Sequence, residues 1–288
     1  MRIYLTAFLY LFATLTLSAE SVSIGGSDLL AASVQAPLQE VAKTDNISLK
    51  IDMMGSMSAI KELKSDKIDM AVVAVIRGTE SSLDGIKLIP LCYQGAVVIV
   101  NPVNSLREIS MEQLKSIFCK SSKQKADQWQ NMGIKNMHSI QAATTGLHDN
   151  LVVELFKNKA FAGFNLGEWV NIIDNKSDLK RFVENNNSTI AIVGKPMEGT
   201  KTIPVSATNA DGGKLYSVLP SCESMHNNDY VMNLPFYIAF KPKNAKKVKA
   251  FAKALLNDST AKEIDRNGFY PVPENFRKNF IFELDTIK

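Results

Sequence analysis

Three short stretches rich in glycine, serine and threonine each run into an apolar-periodic segment. They are Gly25-Gly26-Ser27-Asp28-Leu29, Gly55-Ser56-Met57-Ser58 and Thr144-Thr145-Gly146-Leu147. A helix N-terminus presents unpaired backbone N–H groups and about half a unit of positive charge, which suits an anion. Small hydroxyl side chains leave room for such a ligand and add donors. The plainer reading of each stretch is that Ser or Thr caps a helix. Asp28 serves equally as a cap or as an acceptor for a ligand's proton. A second grouping, Thr145, His148 and Asp149, brings a hydroxyl, an imidazole and a carboxylate close together in sequence. A Thr three positions before a His at a helix start does not give the geometry of a nucleophile and its base, so the grouping does not argue for an enzyme. Gly25-Gly26-Ser27 lacks the spacing of a dinucleotide-binding turn.

The elements that must position these stretches alternate. A short strand from Val22 leads into the first loop, and a helix follows with Leu29, Leu30, Val34, Leu38 and Val41 marking its buried face. Pro37 is expected to kink that helix or to start a second piece. Ile47 to Met53 reads as a second strand, and the helix after the second loop turns Ile60 and Leu63 inward. Met70 to Ile76 is a third strand, apolar throughout. Gly95 to Val100 is a Val-rich strand buried on both faces, stopped by Asn101-Pro102. Ser110 and Gln113 form a capping box that opens a helix with Met111, Leu114 and Phe118 on one face. Ser139 to Ala143 leads into the third loop, whose helix carries Leu151, Val152, Leu155 and Phe156. Leu179 to Asn186 is a further helix and Thr189 to Val193 a further buried strand. Ile203 to Asn228 has no periodicity and reads as loop. Leu234 to Phe240 is a strand, and Ala245 to Leu256 an amphipathic helix with Val248, Phe251, Ala252 and Leu255 inward. Strand, small-residue loop, helix is the order of parallel α/β folds.

The 288 residues hold one large or two medium domains, at 45% hydrophobic and 22% charged residues, an ordinary globular balance. Met1 to Ala19 stands apart. It has one charged side chain, Arg2, an apolar core from Ala7 to Leu17 and a small residue at Ala19, the pattern of a secretory signal peptide. Cleavage near Ala19 with no Cys after it predicts a soluble periplasmic or secreted protein without a lipid anchor. A formal charge of +4 implies no nucleic acid partner. Lys246, Lys247, Lys249 and Lys253 read as a solvated helix face. The cysteines Cys92, Cys119 and Cys222 leave at least one thiol free, and their spacing fits no zinc pattern.

A run of motifs adds a family. Pro90, Tyr93, Gln94, Gly95, Asn101-Pro102, Met111, Gln113-Leu114 and Ile117-Phe118 match Pro-x-x-Tyr-Asp-Gly, a Val-rich strand, Asn-Pro and a Leu-x-x-x-Gln-Leu-x-x-Ile-Phe helix, with Gln94 for the Asp. Trp129 and Gly133 keep an Asn-Trp-x-x-x-Gly spacing. Gly268-Phe269 with Pro271-Val272 resembles a closing Gly-Tyr-x-Pro-Leu. In order and spacing the chain resembles the periplasmic phosphate-binding proteins, the PstS-like receptors of ABC transporters, over almost all of its mature length.

That resemblance implies an α/β protein with the two-lobed periplasmic-binding-protein (type II) fold, each lobe a mixed sheet flanked by helices. Residues 22–92 plus 233–288 would form lobe one and 93–232 lobe two, with the ligand cleft at the hinge. It implies a small oxyanion, most simply phosphate, an ABC permease partner, a monomer, and no metal or organic cofactor. By alignment the ligand contacts would be Ser27, Asp28, Leu29, Ser56, Met57, Thr144, Thr145, Gly146 and Leu147, with Arg77 and Gln141 as weaker candidates. The sequence departs from the family's third loop, Arg-x-x-x-Ser-Gly-Thr. Gln141 stands at the Arg position, Thr145 at the Ser and Leu147 at the Thr. After the third strand, where the family has Ser-Asp or Ser-Arg, the chain reads Ala74-Val75-Ile76-Arg77. These departures admit an alternative, a receptor that has lost tight phosphate binding and acts through another ligand or a protein partner.

Overall fold

The first three strands follow the alternation of the sequence closely. β1 (Ser21–Gly26), a 3-10 turn (Asp28–Leu30) and α1 (Ala31–Thr44) precede β2 (Ser48–Asp52), α2 (Ser56–Lys64) and β3 (Met70–Ala74). The structure, a computed structural model, describes residues 21–135, 137, 139–146, 150–206 and 216–286. The expected signal segment and Leu147, His148 and Asp149 lie outside the described residues. β4 (Lys87–Gly95) passes through Ala96 into β5 (Val97–Val100), and β6 (Ile109–Ser110) and α3 (Met111–Phe118) follow. A 3-10 turn (Trp129–Met132) precedes β7 (Gln141–Thr145), α4 (Asn150–Phe161), β8 (Asn171–Ile173), α5 (Lys176–Asn185) and β9 (Thr189–Val193). β10 (Lys201–Ile203), β11 (Val205–Ser206) and α6 (Cys222–His226) lead to β12 (Asn233–Phe240). The chain ends with α7 (Ala245–Leu256), α8 (Asp258–Arg266), β13 (Tyr270–Pro271) and α9 (Glu274–Thr286).

These strands make two principal sheets. The first has the order β13-β4-β12-β3-β1-β2 and the second β10-β5-β9-β7-β8; β6 and β11 pair separately. The chain passes from the first sheet to the second at Ala96, between β4 and β5, and β12 returns it to the first. Each sheet has its own apolar core. Val97 to Val100, Ile190 to Val193, Phe118, Trp129 and Phe156 pack in one; Ile24, Leu38, Phe236, Phe251 and Leu255 pack in the other. Val97 to Val100 have no exposed surface, as expected for a strand without polar alternation. Fully burying each such side chain stabilises by about 1.5–3 kcal/mol. α7 buries Val248, Phe251, Ala252 and Leu255, the i, i+3, i+4, i+7 stripe of its sequence.

The capping box that opens α3 is present: Ser110 Oγ accepts from Gln113 N, and Gln113 Oε1 from Ser110 N. Trp129 is fully buried and donates from Nε1 to the Ser188 carbonyl at 2.9 Å. Pro37 does not start a second piece, since α1 runs as one helix from Ala31 to Thr44 with Pro37 inside it. The ring costs the helix one donor to the Ser33 carbonyl, while Ser33, Val34 and Leu38 are buried and the helix packs along α7 and α8. Two other local expectations fail. The stretch from Ile203 to Asn228 is not all loop. Val205-Ser206 pairs with β6, and α6 opens on a Ser221–Ser224 capping box that lacks the usual Glu or Gln. Thr144 and Thr145 belong to β7 rather than to a loop.

All three cysteines are free; Cys92 and Cys119 are buried and Cys222 half-buried. Among the described residues no helix is long and apolar enough to cross a membrane.

Candidate functional site

The carboxyl ends of parallel strands are where open α/β sheets leave room for ligands. In the first sheet, backbone hydrogen bonds stitch the loops at this edge together. Ser27 N donates to the Val72 carbonyl, and Gly55 N donates to the Gly26 carbonyl, both at 2.8 Å. Ser56 Oγ accepts from Ala74 N at 2.9 Å, which ties the start of α2 to the end of β3. The first two predicted loops are therefore neighbours, and the end of β3 joins them.

Within this edge Ser27 is buried, while Asp28, Leu29 and Met57 are exposed. Asp28 lies in the first turn of the 3-10 segment, and Ser27 holds the capping position without a side-chain cap. Gly55 precedes α2 with φ 115° and ψ 150°, a conformation open essentially to glycine alone. Having no side chain, it cannot cap α2, and no other side-chain cap is present among the described residues. The first N–H groups of α2 are thus left for solvent or a ligand.

In the second sheet, Thr144 and Thr145 are the last residues of β7 and both are buried. Thr144 Oγ1 donates to the Ile192 carbonyl at 3.3 Å, so its hydroxyl is engaged within the sheet. Thr145 Oγ1 is buried without a hydrogen-bond partner among the described residues. Among the described residues α4 runs from Asn150 to Phe161. Gly146 is buried, and a Cβ there would overlap the Asp174 carboxylate and lie 3.0 Å from Asp174 Cα. Asp174 follows β8 and packs against the third loop, a neighbour that nothing in the local sequence announces. Beside it, Asn175 Oδ1 caps α5 by accepting from Ser177 N at 2.8 Å and Asp178 N at 3.3 Å. Gln141 opens β7, four residues before Thr145. At ~3.3 Å per residue it lies about 13 Å from Thr145, at the opposite end of the strand. Leu147 is outside the described residues.

Arg77 is half-buried and reaches the seam between the sheets. Its Nη2 donates to the Met225 carbonyl at 2.9 Å, near the C-terminal end of α6, and its guanidinium lies 5.8 Å from the centre of the Tyr93 ring. Tyr93 Oη and His226 Nδ1 are 2.8 Å apart, and Phe276 packs against the imidazole with ring centres 4.0 Å apart. Burial raises the Tyr93 phenol well above its ordinary value. Burial, then the Arg77 charge, lowers His226. The same two causes lower the Lys159 ammonium on α4. Tyr93 was legible as part of a motif; the His226 pairing was not, because its residues are far apart in sequence.

These features define a two-lobed α/β fold. Residues 13–259 match the family model described as the PBP superfamily domain, and the chain belongs to that family. Among solved structures it is similar to PstS from Borrelia burgdorferi, at 17% identity and a TM-score of 0.72, covering 88% of this chain and 99% of that one. A possible phosphate binding protein from Planctomyces limnophilus gives 17% identity and a TM-score of 0.70, covering 93% and 99%. An ABC-type phosphate transport receptor from Vibrio cholerae gives 19% identity and a TM-score of 0.62, covering 86% and 99%. No curated protein matches the chain in sequence. The fold class expected from the sequence is the one found.

Proposed function

We propose that this chain is the exported receptor of a phosphate-type ABC uptake system and binds a small oxyanion between its lobes. The similar solved structures include receptors named for phosphate, and that supports the class of ligand. Residues 22–92 with 233–288 would form one lobe and 93–232 the other, a division supported by the separate sheets and cores. The contacts would come from Ser27, Asp28, Leu29, Ser56 and Met57 on one side and from Thr145 and Gly146 on the other. Cleavage near Ala19 and a membrane permease partner complete the reading.

The observation that carries it is the buried, unpartnered Thr145 hydroxyl at a strand's carboxyl end. A buried polar atom left unpaired costs about 1–3 kcal/mol, so such an atom calls for an explanation, and a ligand oxygen supplies one. The test is Thr145→Val, which keeps the shape and removes the hydroxyl. A hydrogen bond to a charged group contributes about 1.5–3 kcal/mol, so calorimetry should show phosphate affinity falling tenfold or more. Melting temperature should hold or rise, since an unsatisfied group is gone. Unchanged phosphate affinity in a stable variant would remove Thr145 from the site.

A further inference from the structure

The two principal sheets have four edges, and three of them are short. β13 has two residues, β10 three and β8 three, whereas β2 has five. β2 pairs with β1 on one side, and its other side carries no strand among the described residues. Such an edge presents a row of unpaired N–H and C=O groups, a template for another chain. Its two faces differ in character. Leu49 and Ile51 are half-buried and line an open groove against α1. Lys50 and Asp52 alternate with them and face the other way, toward α2. Neither Lys50 nor Asp52 makes an ion pair among the described residues.

We infer that β2 is an interface for a second copy of this chain, which pairs antiparallel with it and joins the two first sheets into one. A two-fold axis normal to the sheet keeps every side chain on its own face only if it passes through a residue, because the side-chain period is two. Through Lys50 it would set Lys50 against Lys50, and through Asp52 it would set Asp52 against Asp52. Like charges directly opposite are destabilising. Through Leu49 it would leave both charges opposite neutral residues, Ser48 and Asn46. Through Ile51 it sets Lys50 of each copy opposite Asp52 of the other, with Ile51 against Ile51 between them and Leu49 against Met53. The strand is therefore complementary to itself in charge on one face and in apolar character on the other. Main-chain hydrogen bonds of an added strand supply the affinity, and the alternate side chains fix the register. The resemblance in sequence implies a monomer; the charges on this edge fit a dimer.

The experiment is sedimentation velocity of the full mature protein over a range of concentrations, with Lys50→Glu, Asp52→Lys and the double exchange of both. A single strand pair is a small contact, so a monomer–dimer equilibrium that shifts with concentration is expected. Each single change turns two attractive pairs into two repulsive ones, so the dimer dissociation constant should rise about tenfold or more. The double exchange restores both pairs and should recover the wild-type constant. Lys50 is exposed and Asp52 half-buried, so the fold should be retained, and a melting curve of each variant checks it. A wild type that stays monomeric at the highest concentration would overturn the inference, and Lys50 would then be a charge that protects the edge. A dimer that neither single change weakens, or that the double exchange does not recover, would overturn the pairing through β2.

Discussion

Both sheets use one strand order. In the first, β2, β1 and β3 are parallel, β12 runs antiparallel beside β3, and β4 follows; in the second, β8, β7, β9, β5 and β10 repeat the pattern. The helix after the second parallel strand is α2 in one sheet and α5 in the other, and their N-termini are finished differently. α2 opens on Gly55, which offers no cap. α5 opens on Asn175, whose side chain takes two N–H groups. Topology alone therefore does not make a binding edge. The first sheet keeps backbone donors available, whereas the second uses those of α5 internally and leaves two buried hydroxyls unpaired among the described residues, Thr145 at the carboxyl end of β7 and Thr189 at the start of β9.

The largest expected effect comes from breaking the tight corner of the second sheet. Gly146→Ala places a methyl against both the carboxylate and the backbone of Asp174, so a rotamer change cannot relieve it. Denaturant unfolding should show a loss at the upper end of the ~1–3 kcal/mol typical of overpacking. No loss would mean that Asp174 does not pack there. The corresponding change in the first sheet, Gly55→Ala, meets nothing within 4 Å, so its cost is purely conformational. Holding a non-glycine residue in that region costs on the order of 1–3 kcal/mol. If both variants unfold at the wild-type midpoint, the contrast between a steric and a conformational glycine is wrong.

A subtler pair separates capping from binding. Asn175→Ala should cost about 1 kcal/mol through the lost cap of α5 and leave phosphate affinity intact. Ser56→Ala removes the acceptor for Ala74 N and should cost a similar ~1 kcal/mol. Ser56→Ala should also weaken phosphate binding, because its hydroxyl stands at the open start of α2. Equal affinities for the two variants, by calorimetry, would erase the functional difference between the two helix starts.

Much of this contrast was legible in residue types, and part of it was not. Val97 to Val100 and Thr189 to Val193 announced buried strands because no polar residue interrupts them. Ser110 and Gln113 announced the start of α3 because both halves of the capping box are local. The small-residue loops after β1 and β2 were visible for the same reason. The place of Thr145 was misjudged because a hydroxyl before a glycine looks like a cap, and only the pairing of β7 with β8 and β9 shows it to be the end of a strand. Pro37 did not divide α1, a helix that packs against α7 and α8. Asp174 beside Gly146 and the Tyr93–His226 pair depend on tertiary approach, which spacing along the chain does not encode.

The smallest effect concerns the seam where the two sheets meet. Tyr93 lies on β4 just before the chain crosses at Ala96, His226 ends α6, and Arg77 reaches α6 from beyond β3. The groups facing the imidazole are the Tyr93 hydroxyl, the Arg77 guanidinium and the Phe276 ring. None of them is a carboxylate, so nothing in that set favours the charged imidazolium. The folded pKa is depressed below the ordinary 6.5, by burial first and by Arg77 second. A unit or more above pH 6.5 neither folded nor unfolded chain holds the proton, and His226 contributes no pH dependence. As pH falls below 6.5 the unfolded chain takes the proton first, so stability is lost until the folded pKa is passed. His226→Gln removes this titration and leaves an amide oxygen able to accept from Tyr93. Melting temperatures of both proteins between pH 7.5 and 5 should fall, because carboxylates elsewhere titrate in both. The wild type should fall further, and the difference between the curves isolates His226. Parallel curves would mean that the seam tolerates an imidazolium as well as solvent does, and that neither burial nor Arg77 disfavours the charged form there.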